Sequence, residues 1–437
     1  MLLSLPELPV SEVLDQIVET LAKRSNLVLV APPGAGKTTL VPLALLQSGY
    51  DRWLEGRKII VLEPRRLAAR ATAKRMAQLL GEEVGQTVGY RVRFDNRVSA
   101  KTRIEVVTEG VFGRMLVDDP GLETVAAVLF DEFHERSLDG DLALALCLDL
   151  QQGLREDLRL LPMSATLESD AVANLLDAPV IQSQGRSYPV DIINRDRPPQ
   201  VPIEKITADA ICEEIAHPDS GSILSFLPGQ REIERTAQLL ENRLPASVEL
   251  HKLYGSLPQG VQDAAIAAPK AGIRKVVLSS AIAETSLTIE GVTSVVDSGL
   301  ARQPVYEPAT GLTRLQTVRA SQASVTQRAG RAGRLGPGRA IQLWRAEQTA
   351  ALPPHTPPEI LNADLTPLLL ALADWGVSDP DQLAWMDPPP APALAEARNL
   401  LQQLGALSSE GQLTPHGRIL SKLALPPRYA HMVAVAA

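Results

Sequence analysis

Cysteine is nearly absent: Cys147 and Cys212 are the only two in 437 residues. They lie far apart in apolar surroundings and neither has CxxC spacing, so a disulfide scaffold and a cysteine zinc site are excluded. Long apolar runs are missing too. Nowhere do roughly 18 uncharged apolar residues follow one another, which excludes a membrane-spanning helix. The opening, Met1 to Gln16, turns acidic where a secretory leader needs a basic start and a small-residue cleavage site, so a cytoplasmic chain with no membrane partner is expected. No repeat of about 20 to 50 residues is visible. Positive charge is also short overall, with 43 basic against 51 acidic residues and a net charge of −8. Taken alone, that sum argues against a nucleic-acid partner.

What is present reverses that argument locally. Ten of the 43 basic residues are lysines, leaving 33 arginines, whose forked guanidiniums suit bidentate phosphate contacts. From Ile60 to Val117 there are eleven basic and six acidic residues, and from Ala301 to Arg345 eight and one, giving local charges of +5 and +7. The stretch Asp118 to Gly185 is the opposite, with fourteen acidic and three basic residues.

The length, divided by about 150 residues per domain, suggests roughly three domains. Short apolar runs (Leu27 to Val30, Ile59 to Leu62, Ile104 to Val107, Val125 to Phe130, Ile223 to Leu227, Val276 to Leu278, Val292 to Val296) alternate with helical patterns. They read as buried parallel strands of two α/β units. A break near Tyr188-Pro189, with the proline-bearing stretch Arg195 to Pro202 as a linker, divides them. The expected domains are 1–190, 191–350, a small, mainly helical winged-helix domain 351–425, and the start of another domain at 426–437. The helical stripes Leu361, Leu365, Leu368, Leu369, Leu372 and Leu394, Ala397, Leu401, Leu404 read as core faces. Because the chain stops inside the apolar run Met432 to Ala437, it reads as the N-terminal part of a longer protein.

Three constellations carry chemistry. First, the strand Leu27 to Val30 runs into Pro33-Gly34-Ala35-Gly36-Lys37-Thr38-Thr39 and then a helical pattern, the order a P-loop requires. Gly34 and Gly36 let backbone N–H groups approach phosphate, Lys37 bridges the outer phosphates, and Thr38 offers a hydroxyl to Mg²⁺. Alanine stands at position 31 where the generic pattern has glycine, which a turn accepts if φ stays negative. Second, the run ending at Phe130 is followed by Asp131-Glu132-Phe133-His134. Alternate residues at a strand end face opposite ways, so Asp131 serves Mg²⁺ and Glu132 the water that attacks the γ-phosphate. Thr38, Asp131 and Glu132 form the metal-facing set. A zinc-protease reading of His134-Glu135 fails because Leu138 occupies the second ligand's position. Third, in a continuous helix, Gln327, Arg331 and Arg334 of the segment Gln327 to Arg334 would fall within about 60° of one another, with alanines and glycines between them. Such a face suits arginine fingers offered to a triphosphate on the first domain.

With Glu63-Pro64-Arg65-Arg66, Thr108-Glu109-Gly110, Ser164-Ala165-Thr166, Phe226-Leu227-Pro228-Gly229 and Ala283 to Ile289 added in order, the chain resembles the DEAH-box helicases of superfamily 2. Its opening, Leu27 to Pro33 and Val41 to Leu43, looks most like the bacterial HrpB branch. The resemblance implies two tandem RecA-like P-loop domains holding ATP, other NTPs also being accepted, with Mg²⁺ in their cleft. A winged helix, a ratchet-like helical domain and an OB-fold follow in the family. It implies an NTP-dependent helicase or translocase on single-stranded RNA or tailed RNA duplexes, moving 3′ to 5′, with DNA as an alternative strand. Arg65, Arg66, Thr108, Gly110 and Ser280 would meet the nucleic-acid backbone, Arg75 would stack on the base, and His134, Ser164, Thr166 and Thr288 would couple hydrolysis to domain movement. The catalytic set would be Lys37, Asp131, Glu132, Gln327, Arg331 and Arg334, and Leu300 to Val318 falls where the family carries a strand-separating hairpin.

Two departures stand out: Ser280-Ala281 replaces Thr-Asn, removing one amide, and Ile266 replaces an aromatic over the base. The alternatives are a remodelling NTPase that does not unwind duplexes, or a nucleotide-switched scaffold with vestigial hydrolysis.

Overall fold

The computed structural model describes residues 6–49, 53–165, 170–185, 188–217, 220–285, 289–308 and 310–436. The first sheet contains β1 (Val28–Val30), β2 (Lys58–Glu63), β3 (Val88–Val92), β4 (Asp95–Arg97), β5 (Ile104–Thr108), β6 (Val125–Phe130), β7 (Arg159–Ser164) and β8 (Val180–Gln182). Its order is β4-β3-β5-β2-β6-β7-β1-β8. Every pairing is parallel except that of β3 with β4. β1 and β6 are buried at every position, which is why they read as unbroken apolar runs. Because the main strands are parallel, the residues after β1, β2, β5, β6 and β7 emerge along one edge, where α/β sheets place their ligands.

The second sheet holds β9 (Val190–Asn194), β10 (Ser222–Phe226), β11 (Val248–Leu253), β12 (Arg274–Ser279), β13 (Val292–Asp297) and, later in the chain, β16 (Gly338–Gln342). Its order is β11-β12-β10-β13-β16-β9 and it is parallel throughout. Between β13 and β16, β14 (Leu300–Glu307) and β15 (Leu312–Arg319) form an antiparallel hairpin. Since β9 pairs with β16, Arg195 to Pro202 lies within the second domain. It is not the linker that its prolines suggest, and the chain crosses between domains before Val190.

The C-terminal part is helical, with Thr366–Trp375, Ala391–Gln403, Pro415–Lys422 and Pro427–Ala436 and an antiparallel Leu407–Leu413 bridge as its wing. Leu365, Leu368, Leu369, Leu372, Ala397 and Leu401 are buried in a core shared with Phe112, Leu116, Leu142, Leu146 and Leu150 of the first domain. Polar contacts seal that seam. Trp375 Nε1 donates to Asp149 Oδ2 at 2.7 Å, Arg136 Nη2 donates to Asp387 Oδ2 at 2.7 Å, and Leu138 N donates to Glu359 Oε2 at 2.9 Å. Among the described residues no helix is long and apolar enough to cross a membrane.

Two outcomes follow. Leu372 is fully buried, so Leu372→Ala is expected to cost about 2–5 kcal/mol, read from the urea midpoint. Glu109 accepts a hydrogen bond from Ser137 Oγ at 2.6 Å, yet burial, with Asp139, Glu135 and Glu359 nearby, pushes its carboxyl up to about 8. A folded-state value raised above the unfolded one gives stability that is full below about pH 4.5 and fades as pH rises through 8. Glu109→Gln should remove that part of the pH dependence in thermal melts taken from pH 5 to 9.

Candidate nucleotide site between the two sheets

After β1, the loop has left-handed φ at Gly34 (+83°) and Gly36 (+90°). A Cβ on Gly36 would stand 2.7 Å from Leu8 Cδ1, so both the turn and its packing demand glycine. Ala31 is not among the positive-φ residues, and its N–H bonds to Ser164 O at 2.9 Å. The helix Lys37–Gly49 starts directly at the lysine, aiming its N-terminal N–H groups at the loop.

Lys37 is 4% exposed, with Nζ 3.1 Å from Glu132 Oε1 and 3.5 Å from Asp131 Oδ1. Burial disfavours its charge, but the two carboxylates outweigh burial and leave its pKa raised. Thr38 Oγ1 donates to Asp131 Oδ2 at 2.5 Å. Burial raises the Asp131 carboxyl, against the opposing pull of Lys37. Glu132 is non-glycine backbone at φ 49°, ψ 35°, a strained conformation of a kind that clusters at functional sites. Behind them lies Glu63, fully buried, bonded to Thr72 Oγ1 at 2.9 Å. Burial, then Asp131 and Glu132, push its carboxyl well up. Oxygen donors at Thr38 and Asp131 suit a hard cation that keeps waters and phosphate oxygens in its shell, so the residues fit Mg²⁺.

The opposite wall comes from the second domain. Gln322–Gly330 is α-helical, but Arg331–Gly333 tightens into a 3-10 turn ending at Arg334. A continuous helix through Arg334 is therefore not formed. Glycines at 333 and 338 explain the close approach: a Cβ at Gly333 would stand 2.6 Å from Tyr188 O, and at Gly338 2.2 Å from Ala332 O. The guanidiniums still reach the cleft. A Cβ built on Gly34 would stand 3.9 Å from Arg334 Cζ, which puts that arginine against the phosphate loop. Burial lowers the Arg334 pKa to about 10 despite Glu132. Arg331 is lowered well below its ordinary value, by burial and then by Arg334, and its Nε donates to Glu284 O at 3.1 Å. A cleft where cationic charge is this costly is one that a polyphosphate would relieve. Arg328 plays another part: it is 1% exposed, bonded to Glu284 Oε2 at 3.0 Å, Asp297 Oδ1 at 2.9 Å and Leu300 O at 3.1 Å, and holds the second domain together.

His134 links three motifs. Its Nε2 is 2.9 Å from Gln327 Nε2, Nδ1 is 3.4 Å from the Ala165 N–H, and Nδ1 is 3.5 Å from Glu132 Oε2. Ser164 is buried at the end of β7. Arg65 also crosses the cleft, with Nη1 2.5 Å from Thr285 Oγ1 and Nη2 2.8 Å from Glu135 Oε2. Thr285 Oγ1 also bonds Glu135 Oε1. Sequence reasoning missed Glu135, Thr285 and Glu63 as contributors. Thr285 sits inside, and Glu135 directly after, a motif named above, but their pairing exists only once the two sheets face each other.

The remaining site residues are spread along the rim. Pro33 and Thr39 are half-buried, Ala35 is buried, and Arg66, Arg75 and Gly110 are exposed, with Thr108 and Ser280 half-buried. Ile266 packs against the core around Leu253 and Ala265. Thr166 and Thr288 lie outside the described residues.

Comparison with known proteins agrees with this geometry. The DEAD/DEAH box helicase family matches residues 11–175, the helicase conserved C-terminal domain 207–336, and the winged-helix helicase associated domain (HA2) 397–425. The chain is 50% identical over 427 residues to the ATP-dependent RNA helicase HrpB of Escherichia coli, covering 98% of this chain and 52% of that protein. It is 36% identical over 437 residues to the "Probable ATP-dependent RNA helicase DHR2" of Saccharomyces cerevisiae, covering 98% and 59%. The crystal structure of Escherichia coli DEAH/RHA helicase HrpB superposes with a TM-score of 0.93 at 49% identity, covering 99% of this chain and 54% of that one. The chain thus spans about half the length of the curated relatives it matches. Two RecA-like sheets facing across a phosphate loop, a carboxylate pair and an arginine turn, together with these matches, place the chain in the DEAD/DEAH-box helicase family.

Proposed function

We propose that this chain is the motor portion of an ATP-dependent RNA helicase or translocase. The observation that carries the reading is Arg334 of the second domain lying against Gly34 of the phosphate loop, since hydrolysis can then answer to the distance between domains. Lys37 and the loop N–H groups bind the outer phosphates. Glu132 takes the proton of the attacking water, and Arg331 and Arg334 meet the charge that develops on the transferred phosphoryl. Thr38 and Asp131 would hold Mg²⁺, with Glu132 beside them, and the ion would neutralise charge between phosphates. His134, through Gln327, Ala165 and Glu132, is the coupling residue, with Ser164, Thr166 and Thr288 assigned to the same task.

For the strand, Arg65, Arg66, Thr108, Gly110 and Ser280 are the proposed backbone contacts. The Arg65 guanidinium is engaged by Glu135 and Thr285, so a phosphate would have to displace that contact. An exposed Arg75 with Ile266 turned to the core supports little base discrimination, hence several NTPs. Single-stranded RNA moved 3′ to 5′ is the proposed substrate and direction. Cys147 is buried and unpaired and Cys212 is also free, which fits a reducing, cytoplasmic setting.

Glu132→Gln should bind nucleotide with near-normal affinity and lose about 10²–10⁴ in turnover; full turnover in that variant would overturn the assignment. Arg331→Ala and Arg334→Ala should each cost about 10³-fold or more in kcat. Gln327→Ala should retain nucleotide binding and lose RNA stimulation, measured as the ratio of turnover with and without a single-stranded oligonucleotide. Affinity for that strand should fall steadily with log salt concentration, and tailed RNA and DNA duplexes assayed together separate RNA unwinding from the alternatives.

A further inference from the structure

At the base of the hairpin, away from the nucleotide cleft, a cavity of about 220 Å³ opens between the start of β14, the end of β15, the segment after β9 and the segment after β16. Two of its walls are cationic, Arg197 and Arg319, and no acidic side chain lines it. Among the described residues neither arginine has an ion pair or a side-chain hydrogen bond. The acid beside Arg197, Asp196, is turned to Arg345, 3.7 Å away. The other walls include the nearly buried Trp344, whose Nε1 is already satisfied by Thr349 Oγ1 at 2.9 Å, together with Pro199, Leu352 and the buried Ser298.

Two guanidiniums, the half-buried Arg197 and the exposed Arg319, line one hollow that no acidic side chain lines, and an anion placed there could take bidentate contacts from them. An apolar wall beside a small number of convergent polar groups is the composition of a small-molecule site, and the volume sits just under the usual range of about 300–1,000 Å³. We propose that this cavity binds a small phosphomonoester, no larger than a nucleoside monophosphate, with the phosphate on Arg197 and Arg319 and the organic part against Trp344, Pro199 and Leu352. Because the two arginines belong to different segments, with Arg319 paired to Leu300 at the root of the hairpin, an occupant ties the hairpin to the segment after β9. It would thereby act on the hairpin's position without touching the hydrolytic residues.

The test uses the full chain with its phosphate loop disabled by Lys37→Ala, titrated calorimetrically with AMP and with inorganic phosphate. Saturable AMP binding is expected, weakened at least tenfold when Arg197→Ala and Arg319→Ala are added, and partly restored by Arg197→Lys and Arg319→Lys. Should Lys37→Ala fail to fold, the wild-type chain saturated with a non-hydrolysable triphosphate serves the same comparison. Without the Lys37 change, the arginine variants should keep basal NTP turnover and melting temperature. Absence of saturable binding, or binding indifferent to both arginines, overturns the proposal. So does a site that takes a single-stranded oligouridylate through these arginines while AMP and phosphate fail, since the cavity would then be a nucleic-acid contact.

Discussion

Burying cationic charge opposite a glycine loop is the constraint around which this molecule is arranged. Arg331 and Arg334 are costly in the cleft, and Glu132, with Glu284 beside Arg331, offsets part of that cost. Everything that positions them follows. The 3-10 turn exists to bring the arginines inward, Gly333 and Gly338 exist to let that turn sit on the backbone of Tyr188 and Ala332, and buried Arg328 ties the turn to Glu284 and Asp297.

The cleft is bridged by short polar contacts, which suits a surface that must open. An apolar seam would release too little in exchange for a bound phosphate, whereas hydrogen bonds and ion pairs can be traded one for one. Arg65 with Glu135 and Thr285, and His134 with Gln327, are such exchangeable contacts. Their partners come from both sheets, so the state of either domain is legible to the other.

Much of this was readable from sequence where local pattern and chemistry coincide. The phosphate loop and the carboxylate pair follow strands whose residues are apolar throughout, because both faces are covered. β7 escaped notice although it lies between β6 and β1, since Arg159 and Pro162 interrupt its run. β11, Val-Glu-Leu-His-Lys-Leu, mixes polar and apolar residues as an edge strand does and so offers no continuous apolar run. Arg334 stands beside the glycine loop, while the continuous helix read from the segment does not form, because the backbone of Tyr188 that shapes the turn is remote in sequence. The roles of Glu135 and Thr285 could not be read for the same reason: each finds its partner only across the assembled cleft.

The core that joins the C-terminal helices to the first domain carries a mechanical consequence. Leu368, Leu369 and Leu372 share one apolar interior with Leu142 and Leu146, and such an interior resists sliding. The C-terminal helices and the first sheet therefore form one packed unit, which faces the second sheet across the polar cleft. That unit also meets the second domain at the hairpin, where Tyr306 Oη donates to Glu396 Oε1 at 3.3 Å and the Tyr306 N–H to Asn362 O at 3.2 Å, so the two are joined at the hairpin as well as at the cleft.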